Sequence, residues 1–477
     1  MRYLALVTDY DGTLASHDRV STRAAQALQR VRASGRKTIL VTGRRLDDLL
    51  AVCECADLFD MVVAENGALL YDPVRREETV LANPPAKALV QGLRARGVAP
   101  LDIGQVIVGT DAPHRRTVQD LVWELGLEAQ VIGNRGAVMV LPAGVNKGTG
   151  LDHALRKLGL SRHEVVGIGD AENDHSFLER CEAAVAVANA LPALKETAAI
   201  VRSRENGDGF VGLVDELVAD DLQRLAASLG QHSIMLGTRP DGSAVHLPPY
   251  GHNVLVAGPS GSGKSTVTAG IVERLIEKHY QVCIIDPEGD YGTLQDVVAL
   301  GNQWRAPSVT EVLAVLEDPK VNLSVNLLGI PLADRPDFFA QLIPNLQAMR
   351  ARTGRPHWIV LDEAHHMLPG TWGHAHSTLP QQLGETLLVT VHPDHVSQAV
   401  LAPIDIVLAV GATPHDTLAR FGRATKRRLE WPEHLRSERS SVVAWFTGTD
   451  EPPFALQPLP GRAERIRHRR KYAEGDL

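Results

Sequence analysis

Short apolar runs that stop at an aspartate, a glycine or a threonine recur along this chain, with helical patterns between them. "LALVTD", "KTILVTG", "DMVVAENG", "VVGIGD" and "AAVAVAN" lie in the first half; "NVLVAG", "VCIIDPEG", "WIVLDEA", "ETLLVTV" and "IDIVLAVG" lie in the second. An apolar run without polar alternation reads as a strand buried on both faces. Strands alternating with helices predict a parallel sheet covered by helices on both sides. The chain has 477 residues, and at roughly 100–200 residues per domain that length suggests two to four domains. The fold class is therefore α/β, expressed twice.

Helix signals agree with this rhythm. "STRAAQALQRVRASG" begins at Ser/Thr and stops at glycine, as a capped helix does. Residues 83–142 break the pattern. "PAKALVQGLRARG" and "HRRTVQDLVWELG" are helical, "IGQVIVGT" reads as one strand, and "EAQVIGNRGAVMVLP" reads as two strands around a Gly/Asn turn. That is a compact α+β insert. The expected organisation is a first α/β core at 1–82 and 143–221, with the insert at 83–142. A linker at 222–240 follows, then a second α/β domain at 241–460 and an arginine-rich tail at 461–477. "ADDLQRLAASLGQH" reads as a helix leading out of the first domain.

Composition narrows the function classes. Hydrophobic residues make up 44% and charged residues 22%, ordinary for a soluble globular protein. The net charge of −8 argues against bulk attraction to nucleic acid. The basic stretches 420–428 and 462–471 leave local contacts open, although a solvated face is the favoured reading of both. No apolar run reaches the ~18 residues of a membrane-spanning helix, and no signal-peptide pattern is read at the N-terminus. Cys53, Cys55, Cys181 and Cys283 are scattered, and the one Cys-x-Cys has no second pair at metal-site spacing. Reduced thiols in a cytoplasmic protein, with no membrane partner, are expected.

"LVTDYDGTLAS" places Asp9 and Asp11 at the end of the first strand, where ligands bind in open α/β sheets. Side chains two apart on an extended chain share a side, so one carboxylate can attack while the other moves protons. Crowded carboxylates call for a cation, and Mg²⁺ suits oxygen ligands and phosphate substrates. Gly12 allows a sharp turn beside Thr13. Thr42 and Gly43 in "VTGRR" follow another strand and can serve a phosphate oxygen. Lys147 in "GVNKGTG" offers a point charge for a transferring phosphoryl group. "GIGDAENDHSF" sets Asp170 and Asp174 four apart beside Asn173, as metal ligands or their support. Each piece alone is weak; four in order behind four apolar strands are not.

These motifs give residues 1–220 a close resemblance to the haloacid dehalogenase (HAD) phosphatases. "DYDGT", the threonine of "VTGR", the lysine of "NKG" and "GDAEND" match that family's four motifs in order, and "AENGA" and "ANA" resemble its Cof-like type IIB members. The resemblance implies a Rossmann-like core with the insert as a small α+β C2B cap. It implies Asp9 as the nucleophile that becomes an aspartyl-phosphate, and Asp11 as the acid and base. It implies Thr42 and Lys147 around the phosphoryl oxygens. Mg²⁺ would be held by Asp9, Asp170 and the backbone carbonyl of Asp11, supported by Asp174. The substrate would be a small phosphorylated metabolite such as a sugar phosphate, met by the cap, where Arg115, Arg116 and Arg135 are candidate anion contacts or merely solvated surface.

"GPSGSGKST" follows "HNVLVA" and precedes "VTAGIVERLIEKH", giving strand, glycine loop and helix in the pattern G-x-x-x-x-G-K-[ST]. Roughly one chain in fifty of this length carries that pattern by chance from average residue usage, and the context lowers the odds further. Gly258, Ser260, Gly261, Ser262 and Gly263 would wrap the phosphates of ATP with backbone N–H groups. Lys264 would reach the β/γ oxygens, and Ser265, followed by Thr266, would ligate Mg²⁺. "HWIVLDEAHHM" ends an apolar strand in Asp362 and Glu363, candidates to hold the ion through water and to polarise the attacking water. Asp286 and Glu288 in "CIIDPEGDY" are candidate lining residues, and His392 is a candidate γ-phosphate sensor. A zinc site from His365, His366, His374 and His376 lacks cysteine partners and regular spacing and is set aside.

This second half resembles the HerA/FtsK ATPases over residues 233–460, through the P-loop, "IIDPEGDY", "GRPHWIVLDEAHH" and the strand that follows. The resemblance implies a P-loop NTPase fold, an oligomer, and an arginine from a neighbour, with Arg420 and Arg423 as candidates. The leading expectation is a Mg²⁺-dependent phosphatase fused to an ATPase. Two alternatives stay open: a nucleic-acid processing protein, and an ATP-regulated oligomerising module that controls the phosphatase.

Overall fold

The computed structural model describes residues 1–134, 136–225, 233–368, 384–436, 441–459 and 461. The chain divides into two compact units, Met1–Gln231 and His232–Leu477. Among the described residues no helix is long and apolar enough to cross a membrane. All four cysteines are buried and free of disulfides.

The first unit is built on an eight-stranded sheet. Its strands run in the order Ile200–Val201, Ala183–Ala186, Val165–Gly169, Ala5–Asp9, Lys37–Val41, Met61–Ala64, Leu69–Asp72 and Glu77–Val80. All neighbours are parallel up to Met61–Ala64; the last two strands are antiparallel. Every residue of Ala5–Asp9 is buried, which explains why the run lacks polar alternation. This strand has Val165–Gly169 on one side and Lys37–Val41 on the other, so the chain order reverses across it. Such a switch point opens a crevice at the carboxyl ends of the strands.

Local chemistry sets the helices. Ser21 Oγ accepts the Ala24 N–H at the start of Thr22–Ala33, and Gly35, at φ 85°, follows its end. The helix Lys147–Leu158 starts with a reciprocal cap: Asn146 Oδ1 accepts the Thr149 N–H, and Thr149 Oγ1 accepts the Asn146 N–H. A cap of this kind is worth about 1 kcal/mol. It fixes Lys147 as the first helical residue.

The insert has helices Lys87–Ala95 and Arg115–Glu124 over a four-stranded antiparallel sheet, ordered Ala129–Asn134, Ala137–Pro142, Val108–Asp111, Asp102–Ile103. Leu89, Leu93, Val118, Leu121, Val138 and Val140 share its own small core. "IGQVIVGT", expected as one strand, lies instead across a chain reversal. The strands Asp102–Ile103 and Val108–Asp111 pair around it, and the Gly104 N–H bonds Ile107 O across the turn. The turn forms because the carboxylate of Glu65, from the core, accepts the N–H groups of Gln105, Val106 and Ile107 at 2.9, 2.8 and 3.1 Å. Of the outgoing helix expected from "ADDLQRLAASLGQH", residues 226–232 lie outside the described residues. The helix Asn206–Asp220 stops at Asp221, whose φ is 56°. The Asp221 carboxylate accepts from the backbone of Arg2 and Tyr3 and from Arg36, which ties the helix end to the first strand.

The second unit holds a nine-stranded sheet ordered Val297–Leu300, Asn322–Asn326, Val282–Asp286, Trp358–Leu361, Thr386–Thr390, Val254–Ala257, Ile406–Val410, Val442–Phe446, Phe454–Ala455. It is parallel through Ile406–Val410 and antiparallel beyond. A three-stranded sheet of Ala244–Leu247, Ile234–Thr238 and Gln457–Pro458 stands beside it, so residues 234–238 form a strand of this unit. The α/β class holds for both units. The arginine-rich stretch 462–471 lies outside the described residues.

Candidate functional site

Three strand ends converge in the first unit. Asp9 closes Ala5–Asp9, Asp170 follows Val165–Gly169, and Thr42 follows Lys37–Val41. Asp174 comes from the turn after Asp170, and Lys147 enters from the capped helix. Lys147 Nζ donates to Asp9 Oδ1 at 2.6 Å and to Asp174 Oδ1 at 2.7 Å. Asp174 Oδ2 accepts the N–H groups of Asp170 and Ala171 at 2.8 and 2.9 Å, and the Thr13 hydroxyl donates to Asp170 Oδ1 at 3.1 Å. All of these groups are buried.

The electrostatics follow from the charge count. Asp9, Asp170 and Asp174 bring ligand oxygens within 4.8 Å of one another, against one ammonium. Burial and repulsion from Asp174 push the Asp9 carboxyl up to about 7, in spite of Lys147. Burial works to lower the Lys147 pKa, yet Asp174 and Asp9 together raise it, so the ammonium stays charged. Three buried carboxylates with one cation form an under-compensated site of hard oxygen donors, which fits a divalent ion such as Mg²⁺.

Asp11 stands apart from this cluster. Its carboxylate takes a two-pronged bond from Arg44, Nε to Oδ2 at 2.7 Å and Nη2 to Oδ1 at 2.6 Å, and Arg44 also reaches Asp18. The Asp11 side chain is 45% exposed, so solvent screens much of the pair. Thr42 Oγ1 accepts the Arg44 N–H at 3.1 Å, which links the strand-end threonine to the arginine. Arg44 was not singled out from sequence, although it lies two residues after Thr42 in "VTGRR". Glu65 was missed as well. Glu65, Asn66 and Gly67 all have positive φ, at 50°, 56° and 102°. Non-glycine residues there cost of order 1 kcal/mol or more each. At Gly67 a side chain would strike the carbonyl of Asn146, next to Lys147.

The insert and core together line a cavity of about 690 Å³ whose wall includes Lys147, Asn66, Asn173, Glu172, His175 and Arg115. Of the three cap arginines, Arg115 lines this cavity and Arg116 does not; Arg135 lies outside the described residues.

The second unit presents the glycine loop at the end of Val254–Ala257. Gly258, Gly261 and Gly263 have φ of 157°, 74° and 101°, with Ser260 and Ser262 between them. Lys264, Ser265 and Thr266 then open the helix Lys264–Glu277. Lys264 Nζ donates to Pro259 O at 3.0 Å, folding back over the loop. Gly411 was not anticipated. Its φ is 120°, and a Cβ there would lie 2.9 Å from that of Ser262, so the strand Ile406–Val410 can end directly against the loop.

Asp362 and Glu363 follow Trp358–Leu361, one strand removed from the loop strand. Asp362 is buried; burial, then Glu363 and Asp286, push its carboxyl up to about 7. Glu363 has φ 44°, a left-handed backbone. His365 Nδ1 lies 3.1 Å from Thr390 Oγ1, which accepts the His392 N–H at 3.1 Å. Burial and neighbouring His366 and His392 lower the His365 pKa to about 4, so it is neutral near pH 7. Asp286, expected to line the site or to be merely structural, is buried near Asp362. Its carboxylate accepts the N–H groups of Gly289, Asp290 and Tyr291 and the Ser324 hydroxyl, so its own loop consumes it. Arg420 and Arg423 are exposed on Pro414–Thr425. Arg427 in the same basic stretch is structural, bonding Ile404 O and Ala402 O. Of the four histidines set aside as a zinc site, His374 and His376 lie outside the described residues.

Comparison with known proteins gives these two sites their classes. The model of the haloacid dehalogenase-like hydrolases matches residues 6–94 and 107–213. The model described as helicase HerA, central domain, matches residues 250–351. The chain is 32% identical over 219 residues to a phosphoglycolate phosphatase of Methanothermobacter thermautotrophicus, covering 44% of this chain and 96% of that one. It is 30% identical over 227 residues to phosphoglycolate phosphatase 2 of Saccharolobus solfataricus, covering 45% and 93%. A solved haloacid dehalogenase-like hydrolase from Bacteroides thetaiotaomicron superposes with a TM-score of 0.41 at 20% identity, covering 45% and 99%. The chain belongs to the haloacid dehalogenase-like hydrolases. Its first unit is a hydrolase of the phosphatase class, carried in one polypeptide with a HerA-type P-loop domain.

Proposed function

We propose that the first unit hydrolyses a small phosphorylated metabolite through a phosphoryl-aspartate on Asp9. The observation that carries this reading is the buried Lys147 bridge between Asp9 and Asp174 at 2.6 and 2.7 Å. It holds a nucleophilic carboxylate beside a fixed positive charge at a strand-end crevice. Asp9, Asp170 and the backbone carbonyl of Asp11 would hold Mg²⁺, with Asp174 fixing the surrounding loop. When bound, that ion neutralises the carboxylates and the incoming phosphate. Asp9 attacks phosphorus while Lys147 and Thr42 face the phosphoryl oxygens, and Asp11 protonates the leaving oxygen. Asp11 then takes a proton from the water that cleaves the acyl phosphate. The Arg44 pair must open before Asp11 can serve either step. The test is phosphate release with and without Mg²⁺ by the intact protein and by Asp9→Asn. Undiminished turnover in the variant removes the nucleophile assignment.

We infer further that the second unit binds and hydrolyses ATP. The glycine loop and the N-terminus of Lys264–Glu277 supply N–H groups for phosphates. Ser265 and Asp362 would hold Mg²⁺, and Glu363 would polarise water. The match to the HerA central domain supports an oligomeric ATPase that works on a polymer. Hydrolysis stimulated by DNA would favour that reading, and nucleotide-dependent assembly without stimulation would favour a regulatory module.

A further inference from the structure

The Cys-x-Cys at 53–55 is used by neither site. Cys53 ends the helix Leu46–Val52, donating its N–H to Leu49 O at 2.8 Å, and Cys55 precedes the short turn Ala56–Leu58. Their sulfurs lie 3.7 Å apart, both buried, with the exposed Glu54 between them in the chain. A disulfide bond is about 2 Å long, so the remaining gap is within reach of side-chain rotation and a small shift of the connecting backbone. The sulfur–sulfur hydrogen bond also divides the pair. It lowers the Cys53 pKa against the effect of burial, and together with burial it raises that of Cys55. Cys53 is thereby suited to attack as a thiolate and Cys55 to follow as the resolving thiol. Cys181 and Cys283 differ: the Cys181 thiol donates to Phe177 O at 3.3 Å, and burial raises the pKa of both. The pair adjoins the phosphatase site. Cys53 lies against the hydroxyl of Tyr10, which donates to Asp18 O at 3.0 Å. Tyr10 is buried and stands between Asp9 and Asp11 in the chain. The guanidinium of Arg44, the partner of Asp11 and Asp18, lies over its ring at 5.4 Å.

We propose that Cys53 and Cys55 form a reversible disulfide when a peroxide reaches them, and that this bond slows the phosphatase by shifting Tyr10 and, with it, the Arg44–Asp11 pair. The inference rests on the phosphatase reading above and adds its regulation. The Cys53 thiolate attacks one peroxide oxygen; the O–O bond breaks, an S–O bond forms and hydroxide leaves. The Cys55 sulfur then attacks the sulfur of the Cys53 sulfenic acid. The S–S bond forms, the S–O bond breaks, and the departing hydroxide takes the Cys55 proton as water. Two thiols lose two electrons and two protons, and one peroxide becomes two waters. A dithiol reverses the change by exchange. Closing the bond draws the Cys53 sulfur toward Cys55 and off the Tyr10 hydroxyl. Tyr10 is joined directly to both reacting aspartates, so its shift reaches Asp11 through the chain and through Arg44. Small misplacements of an acid or base are costly to catalysis.

The experiment treats the reduced, intact protein with excess hydrogen peroxide and then with dithiothreitol. At each stage mass spectrometry reads the peptide that holds residues 53–55, and kcat and KM are measured on para-nitrophenyl phosphate. Peroxide is expected to remove two hydrogens from that peptide and to lower kcat about three- to tenfold with KM little changed; dithiothreitol restores both. Cys55→Ala is expected to form no disulfide and to gain an oxygen on Cys53 instead. Cys53→Ala is expected to keep its own activity under peroxide. Thiols that stay reduced in the intact protein overturn the proposal, and that reading stands even where a variant fails to fold. A disulfide that leaves kcat unchanged overturns it as well, as does a peroxide-induced loss that survives Cys53→Ala. If the reduced protein hydrolyses no ester, or if hydrolysis survives Asp9→Asn, the phosphatase reading itself falls and takes the regulation with it.

Discussion

The two sites proposed to meet phosphate are built from opposite devices. The first uses side-chain charge: three buried carboxylates crowded round one lysine, with Asp9 pushed up to about 7 by burial and Asp174. The second uses backbone geometry: three positive-φ glycines turn a loop over the start of a helix, and its lysine rests on a loop carbonyl. A charge cluster is suited to breaking and making bonds to phosphorus, because each group can attack, neutralise or move a proton. A ring of N–H dipoles is suited to gripping a polyphosphate without reacting with it. In the second unit Asp362 and Glu363 lie one strand away from the loop strand.

Substitutions can break or sharpen this contrast. The largest effect is expected from Asp9→Asn, which should lower phosphate release at least ~10³-fold and leave ATP binding unchanged; phosphate-release and nucleotide-titration assays check the two halves. Lys147→Met removes the one cation between two buried acids. It should cost the first unit about 3–5 kcal/mol of stability in denaturant unfolding, far beyond the effect of an exposed ion pair. Lys264→Ala should weaken ATP affinity roughly a hundredfold, as removal of a charged phosphate contact does, with phosphatase kinetics untouched.

The fourth substitution tests the sign of a pKa shift. Asp362 rises from 3.8 to about 7 on folding, so the folded state binds this proton more tightly than the unfolded state does. Its ionisation therefore costs stability, increasingly as pH climbs from about 4 to 7, and fully above that. Without metal or nucleotide, Asp362→Asn should raise the stability of the second unit at pH 8 by up to roughly 3 kcal/mol. The gain should vanish near pH 4, and thermal unfolding at the two pH values reads it. The smallest effect is expected from Glu65→Gln, which weakens three charge-assisted bonds to the cap turn. It should cost about 1–2 kcal/mol, seen as a raised KM and easier proteolysis between core and insert.

The readable parts of the fold were those written locally. The strand-end residues Asp9, Thr42, Asp170 and Asp362 follow apolar runs that no polar residue interrupts. Lys147 follows a cap that Asn146 and Thr149 spell out within four residues. The P-loop carries its conformation in its own glycines. What escaped depends on partners far along the chain. Arg44 finds Asp11 across 33 residues, and Glu65 finds Gln105 across 40. Neither side chain differs in type from dozens of solvated ones. "IGQVIVGT" was read as one strand because its apolar residues suit one, and only the distant Glu65 supplies the acceptors that bend it. Asp286 shows the reverse case: its own loop, three to five residues on, turns N–H groups onto its carboxylate, a bond pattern that the strand-end position alone did not announce.

The Glu65 grip also bears on how this protein could be rebuilt. The insert's elements run from Lys87–Ala95 to Ala137–Pro142, between the core strand Glu77–Val80 and the helix Lys147–Leu158, so the two connections look like the natural seams for exchanging it. The three N–H groups at 105–107 are a third attachment, written in the insert but answered in the core. A transplanted cap that kept the seams and lost this turn would leave a buried carboxylate facing three empty places. Caps that travel between such cores must carry the turn with them, or the core must give up its glutamate.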